Sequence, residues 1–116
     1  MYICEENIIE MSKKEITKDQ EQIARFAKAL SHPIRIAILQ MLAAQTCCYH
    51  GDMSEILPVA KSTLSQHLNE LKDAGLIQGE INLPSVKYCI NKENWALAKK
   101  QLGGFIEEIT SSQERR

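Results

Sequence analysis

The stretch from Pro58 to Gly75 reads PVAKSTLSQHLNELKDAG, and it divides its residues between two faces of a helix. Leu64, Leu68 and Leu71 recur at spacings of four and three, which sets them on one side of a 3.6-residue period. The opposite side carries Ser62, Ser65, Gln66 and Asn69 in place of the Lys and Glu that usually solvate a surface helix. Lys61 stands at the entrance, and Ala74-Gly75 supplies the left-handed stop that Gly adopts without steric cost. Upstream, Asp52 to Leu57 is a second, short helix, and Pro58 disfavours helical backbone in the residue before it.

Two short helices around a tight connection, the second with hydrogen-bonding side chains near its start, fit a helix-turn-helix that enters the major groove of DNA. On this reading Lys61, Ser62 and Thr63 meet phosphates or helix-start contacts, while Ser65, Gln66 and Asn69 reach base edges. His67 lies on the flank of that face. It either approaches DNA, the role expected here, or bonds a backbone group of the first helix. The bland reading of the whole stretch is a surface helix rich in Ser and Asn.

The rest of the chain frames this pair. Ile16, Ile23, Phe26 and Leu30 keep an approximately heptad spacing, so a helix is expected from Ile16. Ser31-His32-Pro33 breaks it; Ser31 or His32 can cap the next helix, and Pro33 suits its first turn. Residues 34–42, IRIAILQML, are apolar on nearly all sides, as in a central core helix. Arg35 is the exception, a snorkelling or paired side chain. After Gly75 the period changes to two: Ile77, Gly79 and Ile81, then Val86, Tyr88 and Ile90, alternate with polar residues. That predicts a β-hairpin with a four-residue loop, Asn82-Leu83-Pro84-Ser85. Asn91 can cap a last helix in which Trp95, Ala98, Leu102, Phe105 and Ile109 form an apolar seam, weakened at Gly103-Gly104 by about 1 kcal/mol per Gly.

The expected fold class is therefore mainly α (α+β), a winged helix-turn-helix with one hairpin wing. Residues 1–15 are expected as a loose arm, 16–110 as the folded domain and 111–116 as a frayed tail. The two flanking helices carry one-sided apolar seams, and a homodimer is expected through Ile16, Ile23, Phe26, Leu30, Trp95, Ala98, Leu102, Phe105 and Ile109. A dimeric reader implies an operator that is an inverted repeat.

At 116 residues, 44% hydrophobic and 25% charged, the chain suits one globular domain. It has no apolar run of membrane-spanning length and no export pattern, so a cytoplasmic protein without membrane contact is expected. The formal net charge of -1 counts against non-specific coating of nucleic acid. Sequence-specific binding needs only a suitable local field, although Lys61 and Lys72 are balanced by Glu70 and Asp73.

Taken together, Leu30-Ser31-His32-Pro33-Ile34-Arg35 with Ile38-Leu39, then Ser62-Thr63-Leu64-Ser65-Gln66-His67-Leu68, Leu71, Ala74-Gly75-Leu76-Ile77 and Val86-Lys87-Tyr88 resemble the ArsR-type (ArsR/SmtB-like) winged-helix transcriptional repressors. The resemblance covers roughly residues 20–92. It implies a cytosolic homodimer, paired through its first and last helices, that binds an operator and releases it when an effector arrives. It also brings the wing, with Ser85 and Lys87, into the set of DNA contacts. Ala60 departs from the Ser that commonly caps this helix in the family. The loop at 82–85 lacks the Gly-Arg often found there, and the family's Cys-x-Cys-Asp sensor is matched by Cys48-Tyr49-His50-Gly51-Asp52.

Cys48 and His50 are ligand types suited to a zinc-like or thiophilic ion; Cys47 is adjacent, and Cys4 could reach over from the arm. Three readings stand open: a metal site, a redox switch in which Cys47 or Cys48 pairs with another thiol, and small buried hydrophobes with no sensing role. No cofactor is required by the sequence. Two other classes are weighed beside a DNA-binding regulator: a winged helix used only for protein contacts, and a thiol enzyme. The enzyme is disfavoured because Cys48, His50 and Asp52 lie within five residues and no oxyanion-hole motif accompanies them.

Overall fold

The computed structural model describes residues 15–44, 49–50, 53–82 and 85–114. Helix α1 spans Lys18–Ala29 and α2 spans Pro33–Ala43, separated by a turn at Leu30–His32. A two-residue strand β1, Tyr49–His50, precedes a single 3-10 turn at Met53–Glu55. Helix α3, Lys61–Asp73, is followed by the hairpin strands β2, Ile77–Asn82, and β3, Ser85–Ile90, and by the long helix α4, Lys92–Glu114.

Local chemistry places these boundaries. Thr17 caps α1 through a capping box: its Oγ1 accepts from the Gln20 amide at 3.1 Å and Gln20 Oε1 accepts from the Thr17 amide at 2.9 Å. The helix therefore begins at Lys18, and Ile16 falls outside it, 69% exposed. Of the two candidates to cap α2, it is His32 that does so, its Nδ1 accepting from the Ile34 amide at 3.1 Å with Pro33 in the first turn. Asn91 caps α4, its Oδ1 accepting from the Asn94 amide.

The core confirms α2 as the central helix. Ile38, Leu39 and Leu42 are buried with Phe26 and Ala29 of α1, Leu64, Leu68 and Leu71 of α3, Leu76 and Ile77 entering the wing, and Ala98 of α4. The wing is a three-stranded antiparallel sheet in the order β1-β3-β2.

Three expectations need correction, and one strand was not expected at all. Of the helix expected over Asp52 to Leu57, the described residues 53–57 form only the one-turn 3-10 segment Met53–Glu55. Strand β1 had no sequence signal, because a two-residue strand exists only by pairing, here Tyr49 with Tyr88 and His50 with Lys87. The hairpin ladder runs out to Asn82 opposite Ser85, so the four-residue loop contracts to positions 83–84, which lie outside the described residues. Helix α4 continues to Glu114, so most of the tail expected to fray from residue 111 is helical. The arm expected over 1–15 lies outside the described residues except for its last residue.

The end of α3 is a Schellman motif: the Leu76 amide donates to the Leu71 carbonyl at 3.1 Å and the Gly75 amide to the Lys72 carbonyl at 2.9 Å. Gly75 has φ 85°, and a Cβ there would sit 2.6 Å from Asn94 Nδ2, which donates to the Gly75 carbonyl at 2.9 Å. The Gly75→Ala protein should lose roughly 1–2 kcal/mol from the left-handed backbone alone, and more from the displaced Asn94. Urea unfolding followed by circular dichroism measures the loss as a lowered midpoint.

Candidate nucleic-acid interface

Helix α3 turns its leucines inward and its short polar groups outward. Leu64, Leu68 and Leu71 are buried, each side chain contributing about 1.5–3 kcal/mol, while Lys61, Ser62, Thr63, Ser65, Gln66 and Asn69 are exposed. The expected contacts on this helix thus share one solvent face, with the exception of His67. No side chain caps the helix at Ala60. On β3, Lys87 is exposed, and it pairs with Glu80 in the hairpin register.

His67 departs from its expected place. The residue is 7% exposed, and Nδ1 accepts from Arg35 Nε at 3.0 Å. The His32 ring lies 4.3 Å away, centroid to centroid, tilted by 44°. Positions 64, 67, 68 and 71 follow the i, i+3, i+4, i+7 pattern of a buried stripe, so the spacing itself places His67 inward. Burial lowers its pKa from the ordinary 6.5, and the charges of His32 and Arg35 lower it further. Arg35 is held in turn by Nη1, which donates to the Lys28 carbonyl at 2.9 Å.

A second polar tie runs from α1. Arg25 pairs with the Glu70 carboxylate, and its Nη2 donates to the Glu70 carbonyl at 3.3 Å. Burial works to raise the Glu70 pKa, but the hydrogen bond from Arg25 and the charges of Arg25, Lys28 and Arg35 outweigh it and hold the carboxyl below its ordinary range. Sequence spacing does not single out the Arg25–Glu70 pair, because its members are 45 residues apart. The lone charge of Arg35 in an apolar helix was a signal; its partner was not legible.

The candidate metal or redox residues Cys4, Cys47 and Cys48 lie outside the described residues, as do the side chains of His50 and Ser85. Among the described residues no three His, Cys, Asp or Glu converge as a metal site. Cys89 is disulfide-bonded and half-buried. It lines a cavity of about 490 Å3 with Gln78, Gly79 and Lys87, and a neighbouring one of about 450 Å3 reaching Lys92 and Glu93. The cysteine spacing gave no hint of this disulfide.

The expected pairing seam divides. Phe26 and Ala98 are buried in the chain's own core, because α1 packs on α4, which corrects their assignment to a second copy; Leu30 and Leu102 are partly buried against that core. Ile23 is half-buried. Ile16, Trp95, Phe105 and Ile109 remain exposed, joined by Leu97 and Ile106, which the seam omitted.

A three-helix body with an outward polar helix and a β-hairpin beside it is a winged helix-turn-helix, the architecture of a DNA-binding domain. Comparison with known proteins agrees. The family model "Helix-turn-helix domain" matches residues 30–80. The HTH-type transcriptional regulator YgaV of Escherichia coli (strain K12) is 37% identical over 73 residues, 63% of this chain and 74% of that protein. The biofilm growth-associated repressor of Xylella fastidiosa (strain Temecula1) is 25% identical over 105 residues, 90% of this chain and 88% of its own. The crystal structure of an ArsR family transcriptional regulator superposes with a TM-score of 0.67 at 21% identity, covering 87% of this chain and 99% of the other. The chain belongs to the ArsR-type family of helix-turn-helix transcriptional regulators.

Proposed function

We propose that this regulator is a homodimeric repressor that reads an inverted-repeat operator through α3. The carrying observation is the outer face of that helix, where Ser62, Ser65, Gln66 and Asn69 are all exposed on a helix whose leucines anchor it to the core. Gln offers a donor and an acceptor to adenine in the major groove, and Ser serves either partner. Lys61, Ser62, Thr63, Ser85 and Lys87 are assigned to the sugar-phosphate backbone, and their work is done where the chromosome is, in the cytoplasm.

The second copy is assigned to the apolar stripe of α4. Every residue from Gly103 to Thr110 is exposed, and a Cβ at Gly103 or Gly104 would meet no neighbour, so this half of the helix stands clear of its own core. Water-facing Phe105, Ile106 and Ile109 on one helix are the material of a helix–helix interface.

The effector reading favours thiol chemistry over a metal. A disulfide in a protein that works among cellular thiols is characteristically transient or redox-sensing, and Cys89 sits in one, beside an open cavity. The relation of Cys47 and Cys48 to this signal belongs to the same proposal.

Three measurements test these assignments. The Gln66→Ala/Asn69→Ala protein should bind a duplex selected with the wild type more weakly by about 1–3 kcal/mol per lost base contact; normal binding removes the reading face from α3. Sedimentation should show a dimer at micromolar concentration and a monomer for Phe105→Glu/Ile109→Glu, whereas a monomeric wild type excludes the pairing. A dithiol reductant, itself closing to a cyclic disulfide as it opens the bond at Cys89, should change duplex affinity at least about fivefold. An equal change in Cys89→Ser, or none in the wild type, removes the disulfide from the mechanism.

A further inference from the structure

We propose that Arg35 and His67 form a positioning bracket for the reading helix that closes only on a neutral imidazole, so that affinity for DNA depends on the protonation of His67. The proposal rests on α3 being the groove-reading helix and adds a residue that sets its attitude without touching DNA.

The geometry carries the argument. Arg35 keeps its charge at any relevant pH and has donors only. Nη1 is committed to the Lys28 carbonyl in the last turn of α1, and Nε points at His67 Nδ1. One guanidinium thus ties the end of α1 and the start of α2 to the middle of α3. With Nδ1 accepting, the neutral ring carries its proton on Nε2. A second proton converts Nδ1 into a donor, which leaves Nε of Arg35 facing another donor and places two cations in contact beside His32.

The surroundings do not relieve that repulsion. The charges that act on His67 are those of His32 and Arg35; Arg25 and Lys28 of α1 act on Glu70 of α3, whose carboxylate Arg25 engages. The other elements packed on α3 carry Glu55 in the 3-10 turn and Glu80 at a β2 position opposite Lys87 in the hairpin register. The folded state therefore favours the neutral ring, in keeping with its lowered pKa. The sign follows: the bracket is fully formed at and above the ordinary histidine value and is lost as pH falls through the lower folded-state value. Gln66 is the adjoining residue and Ser65 the next, so a shift of His67 moves the reading face directly. Ala60 adds no side-chain cap to steady the helix start.

The test uses the full-length protein and a duplex enriched from random-sequence DNA by the wild type at about pH 7.5. His67→Asn places an amide oxygen where Nδ1 accepts and cannot titrate; His67→Leu removes the acceptor. Between about pH 7.5 and 5, a step that takes in the acid side of the histidine range where a lowered pKa titrates, wild-type affinity should fall at least about fivefold more than that of His67→Asn. His67→Asn should match the wild type at the upper pH, while His67→Leu, folded by circular dichroism, binds weakly there. The same pH step in His67→Asn, or full affinity in His67→Leu, overturns the bracket. A DNA-free arm follows the Arg35 Nε–H resonance by NMR; it should lose exchange protection in step with His67 protonation, and its persistence below that titration is equally fatal. If the wild type enriches no duplex, the groove-reading assignment falls, and the NMR arm alone decides whether the bracket exists.

Discussion

Burial of Leu64, Leu68 and Leu71 against α2 is the constraint from which the rest of the molecule follows. An isolated helix of 13 residues is marginal in water, and this one starts at Ala60 without a side-chain cap. Its stability is therefore borrowed from tertiary packing. The same packing fixes which side faces outward, because a helix with one apolar stripe has a single favourable rotation on an apolar body.

Packing of leucines is tolerant of small rotations, and directional bonds are not. The ties from Arg25 to Glu70 and from Arg35 to His67 approach α3 from two different helices and meet it one turn apart. Leucine burial supplies most of the free energy, and the polar ties restrict the angle. Removing one partner of a half-buried ion pair leaves the other charge poorly solvated, so these contacts specify more than they stabilise. The Schellman turn at Gly75, locked by Asn94 of α4, fixes the exit of the same helix and couples it to the long C-terminal element.

Helix α4 serves two masters along its length. Its first half buries Ala98 and leans Leu102 on the core, and its second half presents Phe105, Ile106 and Ile109 to solvent. A single heptad-like seam thus changes function near Gly103, where the helix leaves the body. The seam was legible as apolar periodicity, but periodicity carries no information about which copy of the chain a residue meets.

The sequence by itself determined the element types and their order wherever periodicity was long: the central helix at 34–42, the two-faced helix after Pro58, the alternation of the hairpin, and the stops at Pro33 and Gly75. Those signals are local, arising from side-chain spacing and backbone freedom within a few residues. Tertiary structure alone decided the rest. Strand β1 exists only because β3 lies beside it, and the described residues 53–57 form only the single turn Met53–Glu55. The partners of Arg35 and Arg25 lie 32 and 45 residues away, the Cys89 disulfide escaped the spacing altogether, and the split of α4 between core and solvent depends on where the body ends. His67 marks the boundary between the two: its spacing put it on the buried stripe, but only the fold brought up the guanidinium that makes burial of an imidazole affordable, because a buried acceptor needs a donor that the local chain does not contain.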